Sequence, residues 1–154
     1  MNGPTTTAIT GKDVLVLAGR LILGLADGDN SALTHPNELF TVKTGKDGNS
    51  LYAYNATGQQ GELVVRLVSG CSDDVFLNGL LKLMQADPAA FPLMPGQLVK
   101  RIGNGLGLVR NDTVIMLGGV FSKQVDRTSN AEGNTDQAVS VYTIRFGNVF
   151  RAIL

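Results

Sequence analysis

Few residues of this chain have types and spacings that point to chemistry. Asp27, Asp29, Ser31 and Glu38 fall at the first, third, fifth and twelfth places of a calcium-loop template. Short oxygen-bearing side chains at alternate positions converge there on a hard cation. The sixth place is Ala32, not the glycine that the sharp turn needs, and strand-like sequence precedes the loop where a helix is required. The stretch fits an ordinary solvated turn better. With one histidine, His35, and one cysteine, Cys71, a Cys/His zinc cluster is excluded within one chain. A hydrolase would have to draw on Ser72, His35 or Cys71, and no nucleophile elbow accompanies them. Cys71 precedes a helix whose N-terminus favours a thiolate, but a buried thiol is the plainer reading.

Glycine-rich stretches fare no better as phosphate cradles. Gly103-Asn104-Gly105-Leu106-Gly107 is followed by Leu108 where the dinucleotide fingerprint needs glycine. Gly45-Lys46 and Gly11-Lys12 lack the Walker spacing and the following Ser or Thr. Asn55-Ala56-Thr57 and Asn111-Asp112-Thr113 match the glycosylation pattern, a common chance match. Each polar cluster reads as a turn. No metal, no cofactor and no catalytic residue is expected.

The elements around these clusters point elsewhere. The 154 residues suit one domain, 1–154, with a single core. Thirteen basic and 13 acidic residues cancel and are dispersed, which argues against a nucleic-acid footprint. One cysteine excludes a disulfide framework. No apolar run is long enough to span a bilayer, so no membrane insertion is expected, and the N-terminus lacks the pattern of a secretory signal. The charged share, 17%, lies below the ~25% usual for soluble domains, while 44% is apolar and glycines number 19. That balance suits a β-rich fold with many turns, and a chain that buries surface against copies of itself.

Residues 1–11 read as a flexible N-terminal arm. Val14–Ala18 reads as a strand, with Gly19 allowing a bend or bulge before Arg20–Leu23. The organising stretch is Glu38 to Gln85: strands at Leu39–Lys43, Leu51–Tyr54 and Glu62–Val68, then a helix. Asp47-Gly48 supplies the positive φ of a tight hairpin. Strand alternation places Phe40 and Val42 on one face and Thr41 and Lys43 on the other. It likewise sets Leu63, Val65 and Leu67 against Glu62, Val64 and Arg66. The first set of each strand is the candidate core. Ser72 is the expected N-cap, with Asp73 and Asp74 in the first turn. Leu77, Leu80 and Leu81 belong to a greasy stripe that also holds Phe76 and Met84. Strands resume at 98–102, 107–110 and 113–117, with a tight turn at Asn111-Asp112 and a bulge at Gly118-Gly119. Residues 126–137 read as a long exposed loop, 138–146 as the final strand, and 149–154 as an apolar tail.

The ordered features resemble the tail tube proteins of contractile-tailed bacteriophages, from about Val14 to Phe150. The resemblance rests on Gly24-Leu25-Ala26-Asp27-Gly28, on Phe40-Thr41-Val42-Lys43-Thr44-Gly45-Lys46-Asp47-Gly48, and on Asn55-Ala56-Thr57-Gly58 leading into Gly61-Glu62-Leu63-Val64-Val65-Arg66-Leu67. The helix from Ser72 to Leu83 completes it. The 126–137 loop and the apolar tail depart from the shortest family members. The resemblance implies a mainly β fold, a barrel or sandwich with one flanking helix and a long central hairpin. It implies a homo-oligomer of stacked hexameric rings, with tail sheath, baseplate and tail terminator proteins as partners and phage DNA passing through the lumen. It implies a place in the virion tail, after assembly in the bacterial cytoplasm. Thr41, Lys43, Glu62 and Arg66 would then face a wet lumen. The alternatives are a ring protein of a contractile injection or type VI secretion system, and a monomeric β-sandwich binding module.

Overall fold

The computed structural model describes residues 8–9, 13–25, 31–128 and 138–153. The chain runs β1 (Ala8–Ile9), β2 (Val14–Leu17), β3 (Arg20–Ile22), β4 (Ser31–Thr34), β5 (Phe40–Thr44), β6 (Ser50–Tyr54) and β7 (Gly61–Val68). There follow α1 (Ser72–Ala86), β8 (Met94–Gly103), β9 (Val109–Phe121), β10 (Asp126–Thr128) and β11 (Val139–Ile153). Among the described residues the fold is mainly β with one α-helix, and every strand pair is antiparallel. One sheet follows the order β3-β2-β8-β9-β11-β7-β4, with β1 added to β8 and β10 to β11; β5 and β6 form a separate two-stranded sheet.

Alternation builds the core. Along β7, Leu63, Val65 and Leu67 are fully buried while Glu62, Val64 and Arg66 are half-buried. β11 adds Tyr142, Ile144 and Phe146, and β2 adds Leu15 and Leu17. α1 lays Leu77 and Leu81 on this layer, with Phe76, Leu80 and Met84 partly buried beside them. Each such aliphatic side chain contributes roughly 1.5–3 kcal/mol on leaving water. Glycines let the layers close. A Cβ at Gly119 would stand 2.5 Å from a Phe146 ring carbon and 2.8 Å from the Met94 carbonyl oxygen. The register of β8 against β9 slips between Met94 and Gly96 beside this point, and Gly118 has a φ of 72°.

Several local expectations are corrected. Phe40 and Val42, expected in the core, are 54% and 52% exposed, because among the described residues β5 and β6 pair only with each other and no further sheet covers them. Asn111 and Asp112 do not turn. They lie within β9, opposite Arg101 and Lys100, and Arg151 from β11 clasps the Asp112 carboxylate at 2.9 and 2.7 Å. The chain reverses instead at Asn104, whose side-chain oxygen accepts from the amides of Leu106 and Leu108. The helix cap is Cys71, not Ser72: its sulfur accepts from the Asp74 amide at 3.4 Å. Ala18 and Gly19, at φ of 51° and 79°, make a tight hairpin turn, not a bulge. The apolar tail continues β11 to Ile153, paired with β9. Ala8 and Ile9 of the supposed arm pair with Gly103 and Ile102, and Asp126–Thr128 of the supposed loop pair with Val141–Val139. The rest of the arm up to residue 11, the loop segment 129–137, and Asp27 and Asp29 of the calcium template lie outside the described residues.

Candidate functional site

The β5–β6 hairpin is the most distinctive surface of the chain. Its turn is closed by the Gly45 amide donating to the Asn49 carbonyl at 2.7 Å, and Gly48 takes the left-handed φ of 84°. Its two faces follow from pairing. Phe40 lies opposite Tyr54 and Val42 opposite Tyr52, so one face is aromatic and aliphatic. The Phe40 and Tyr54 rings meet edge to face with centroids 5.3 Å apart, an arrangement that favours the aromatic quadrupoles. Lys43 lies opposite Leu51 and Thr41 opposite Ala53 on the other face. Leu39, Phe40, Val42, Leu51, Tyr52 and Tyr54 are all more than half exposed. An apolar patch of this kind is what marks an interaction surface.

Side-chain hydrogen bonds tie the root of the hairpin. The Asn55 side chain donates to the Thr41 hydroxyl at 2.9 Å, and the Asn55 amide donates to the Leu39 carbonyl at 2.7 Å. Asn37 donates to the Thr57 carbonyl and to the Gln60 side chain. His35 Nδ1 lies 3.1 Å from the Gln60 carbonyl oxygen. Gly58 is buried against the Glu38–Leu39 backbone, where a Cβ would meet carbonyl and Cα atoms at 2.8 Å.

The four residues proposed for one wet face do not share a single site in one chain. Glu62 and Arg66 lie on β7, next to Arg145 and Val141 of β11, and Arg145 approaches Glu62 at 3.4 Å. Thr41 and Lys43 lie on the separate hairpin sheet, and Thr41 is engaged with Asn55. The residues of a hypothetical hydrolase are likewise dispersed. His35 serves the hairpin root, Cys71 caps α1, and Ser72 is exposed in its first turn. Among the described residues no three His, Cys, Asp or Glu side chains are grouped to hold a metal, and no helix is long and apolar enough to cross a membrane.

Two polar contacts at the start of α1 went unrecognised in the sequence. Asp73 is 3% exposed and accepts three bonds at 2.8 Å, from Arg20 Nε and from the amides of Leu23 and Gly24. Burial pushes its carboxyl pKa up, but the Arg20 guanidinium and the two amides outweigh burial and hold it below the usual range. Arg20 also lies 5.1 Å over the Phe76 ring. Asp74, one residue on, accepts hydrogen bonds from the Tyr142 hydroxyl at 2.5 Å, the Ser140 hydroxyl at 3.2 Å and the Gly70 amide at 2.9 Å. Burial, and then the Asp74 carboxylate, push the Tyr142 phenol up. These groups line a cavity of about 250 Å³ with Val75, Asn78, Val125 and Arg127. Their hydrogen bonds are made within the chain. The two acids were legible as helix-start residues, but apart from Gly70 their partners lie 49 to 68 positions away.

No family model and no curated protein matches the chain. Solved structures do match. One is from the sheath–tube complex of an extracellular contractile injection system, PVC, in the extended state. Its TM-score is 0.63 at 10% identity, over 96% of this chain and 93% of that one. The tube-terminating cap of the anti-feeding prophage gives 0.63 at 10% identity, over 100% and 94%. The sheath/tube terminator of the PVC system gives 0.63 at 12% identity, over 92% and 94%. At these identities the likeness is one of fold.

Proposed function

We propose that this chain is a self-assembling structural subunit of a contractile-tail tube, forming stacked rings of six around a lumen. The observation that carries the reading is the β5–β6 hairpin. It is an ordered strand pair with an exposed apolar face and, among the described residues, no covering sheet. It occurs in a fold shared with tube and cap proteins. A monomer gains nothing from exposing Phe40, Val42, Tyr52 and Tyr54, whereas an assembly buries them. The neutral chain suits passage of a charged cargo without retention, since each phosphate contact adds affinity. The sheath, baseplate and terminator are the implied partners. Glu62, Arg66, Thr41 and Lys43 are the proposed lumen residues, brought together from neighbouring copies.

Phage DNA is the cargo of the first reading. A second reading, a tube of a contractile injection system that carries protein, is favoured by neighbours that come from an extracellular contractile injection system. Negative-stain electron microscopy over a concentration series, with light scattering on the same samples, tests the shared claim. Rings or hollow tubes with six-fold cross-sections are expected. Monomer at every concentration, even with purified baseplate supplied as a nucleus, refutes it. The cargo is then read from particles purified intact, by assaying the lumen contents for nucleic acid and protein.

A further inference from the structure

The turn between β8 and β9 has an unusual composition for a loop in water. From Ile102 to Val109 the sequence reads Ile-Gly-Asn-Gly-Leu-Gly-Leu-Val, with no charged residue. Leu106 is 86% exposed, Leu108 69% and Val109 48%. A tight turn needs glycine and asparagine for its backbone angles, and this one uses them. Gly105 and Gly107 take φ of 79° and 87°, and the Asn104 side-chain oxygen accepts from the amides of Leu106 and Leu108 at 2.8 and 3.2 Å. Nothing in that geometry calls for leucine, and neither leucine packs on the core. Three apolar side chains exposed together on one turn differ from the singly scattered ones of an ordinary surface.

The backbone of this tip is partly closed on itself. Besides the two bonds to the Asn104 side chain, the Asn104 amide donates to the Leu108 carbonyl at 3.1 Å. Polar groups that hydrocarbon could not satisfy are thereby already paired. A basic collar stands directly behind. Arg101 lies opposite Asn111, and Arg110 lies opposite Ile102. The two arginines occupy adjacent rows of paired strands, so their side chains leave opposite faces of the sheet. Both are exposed, and neither is held by an ion pair among the described residues. Lys100 and Arg151 flank Asp112 one row further back, and Asp13 precedes β2 beside them. Four basic side chains thus meet two acidic ones, and this end of the sheet is positive. Arg110 stands two residues from Leu108, about 7 Å of extended chain. That matches the roughly 5–10 Å to which interfacial apolar groups sink at the boundary of headgroups and acyl chains.

We propose that the β8–β9 tip dips into the headgroup layer of an anionic membrane, with Leu106 and Leu108 at the acyl boundary and Arg101 and Arg110 on the lipid phosphates. The contact is shallow, and no segment spans the bilayer. It stands apart from the tube reading, because a single chain carries the whole surface. Charge separates this occupant from a second copy. Among the described acids, Glu62, Asp73, Asp74, Asp112 and Asp126 are engaged within the chain. Glu38, Asp47 and Asp87 lie singly, before β5, in the β5–β6 turn and after α1. Among the described residues no acidic surface therefore answers the collar, whereas a layer of lipid phosphates does. Nucleic acid would answer the arginines but leave the leucines in water.

The test floats the full chain, below its assembly concentration, with vesicles of pure phosphatidylcholine or of phosphatidylcholine mixed with phosphatidylglycerol. Binding to the mixed vesicles should exceed binding to the neutral ones at least tenfold and should weaken as salt is raised. The double variant Leu106→Ser, Leu108→Ser should bind the mixed vesicles at least tenfold more weakly, and so should Arg101→Gln, Arg110→Gln. All four side chains are exposed, and circular dichroism checks that each variant keeps the native fold. The chain has no tryptophan, so Leu106→Trp supplies a single reporter whose emission should shift to the blue on mixed vesicles and be quenched by brominated lipid. A parent chain that floats with neither vesicle overturns the proposal, and so does equal binding to both. Binding that survives the double serine change assigns the lipid contact to another surface and overturns it too. Emission of the Leu106→Trp chain that shifts with protein concentration and not with vesicles gives the tip to a second copy, which also overturns it. The tube reading is decided separately, by rings in negative stain.

Discussion

Replacing Asp73 with asparagine tests the joint between α1 and the β2–β3 hairpin. One carboxylate oxygen takes Arg20 Nε and the other takes the amides of Leu23 and Gly24, all at 2.8 Å. The group is almost fully buried, while the Arg20 side chain is 40% exposed. Asparagine keeps the shape and one acceptor oxygen. Its oxygen can still take the two amides, but as neutral bonds, weaker by roughly 0.5–1 kcal/mol each. The Arg20 contact is lost, and solvent limits that loss to about 0.5–1 kcal/mol. Asp73→Asn should therefore cost about 1.5–3 kcal/mol. Asp73→Ala, which also leaves two buried amides unsatisfied, should cost about 4 kcal/mol. The asparagine change corresponds to a fall in Tm of roughly 5–10 °C for a chain of this length. Urea unfolding followed by circular dichroism, below the assembly concentration, measures it. The pH dependence has a definite sign. Folding lowers the Asp73 pKa, so its contribution is full above the unfolded value of about 3.9 and is lost as pH falls through the lower folded value. The gap between parent and Asp73→Asn should shrink below about pH 4. A cost under about 0.5 kcal/mol at pH 7, or a gap unchanged from pH 7 to pH 3, refutes the account.

Gly119→Ala should destabilise the chain by about 2–3 kcal/mol through overpacking, since the new methyl meets the Phe146 ring and the Met94 carbonyl at 2.9 Å or less; a thermal melt reads this as a lower Tm. Tyr142→Phe should cost about 1–2 kcal/mol at pH 7 by removing the hydroxyl from Asp74. Because the folded Tyr142 pKa is raised, the parent loses stability as pH rises above the unfolded value of about 10. Tyr142→Phe should lose less over that range, as alkaline urea titrations will show. The double variant Phe40→Ser, Tyr52→Ser should leave the Tm of the monomer within about 2 °C, because both side chains are already exposed. The same variant should abolish rings in negative stain, and rings at the parent's concentration would count against the hairpin as an assembly surface.

Legibility in the sequence followed the range of the forces involved. Leu63, Val65, Leu67, Leu77 and Leu81 could be placed inside because period two in a strand and period 3.6 in a helix are local properties. The 118–119 bulge was readable from paired glycines, one of which takes a positive φ. Non-local partners undid the rest. Asn111-Asp112 has the composition of a turn, yet Arg151, 39 residues on, holds Asp112 in an extended strand. Ser72 is the better cap by type. The chain nevertheless enters α1 one residue earlier, where the next acid, Asp73, reaches back across 53 residues to Arg20. Of the four proposed lumen residues, alternation put Glu62 and Arg66 together on one face of β7. Nothing local could say that Thr41 and Lys43 belong to a different sheet.

Phe40 and Val42 carry the clearest argument about assembly. Their alternation with Thr41 and Lys43 is the pattern of a strand with one buried face, and Tyr54 and Tyr52 opposite them repeat it. The single chain leaves that face in water. An exposed strand under no constraint to be covered would place polar residues on both sides, and a lone two-stranded sheet is at best marginally stable in water. The hairpin is nevertheless pinned at its root by Asn55, Asn37 and buried Gly58, so it is held out from the core as an ordered arm. A burial pattern without a covering layer, on an arm anchored at its base, is what a strand pair shows when the layer that covers it belongs to another chain.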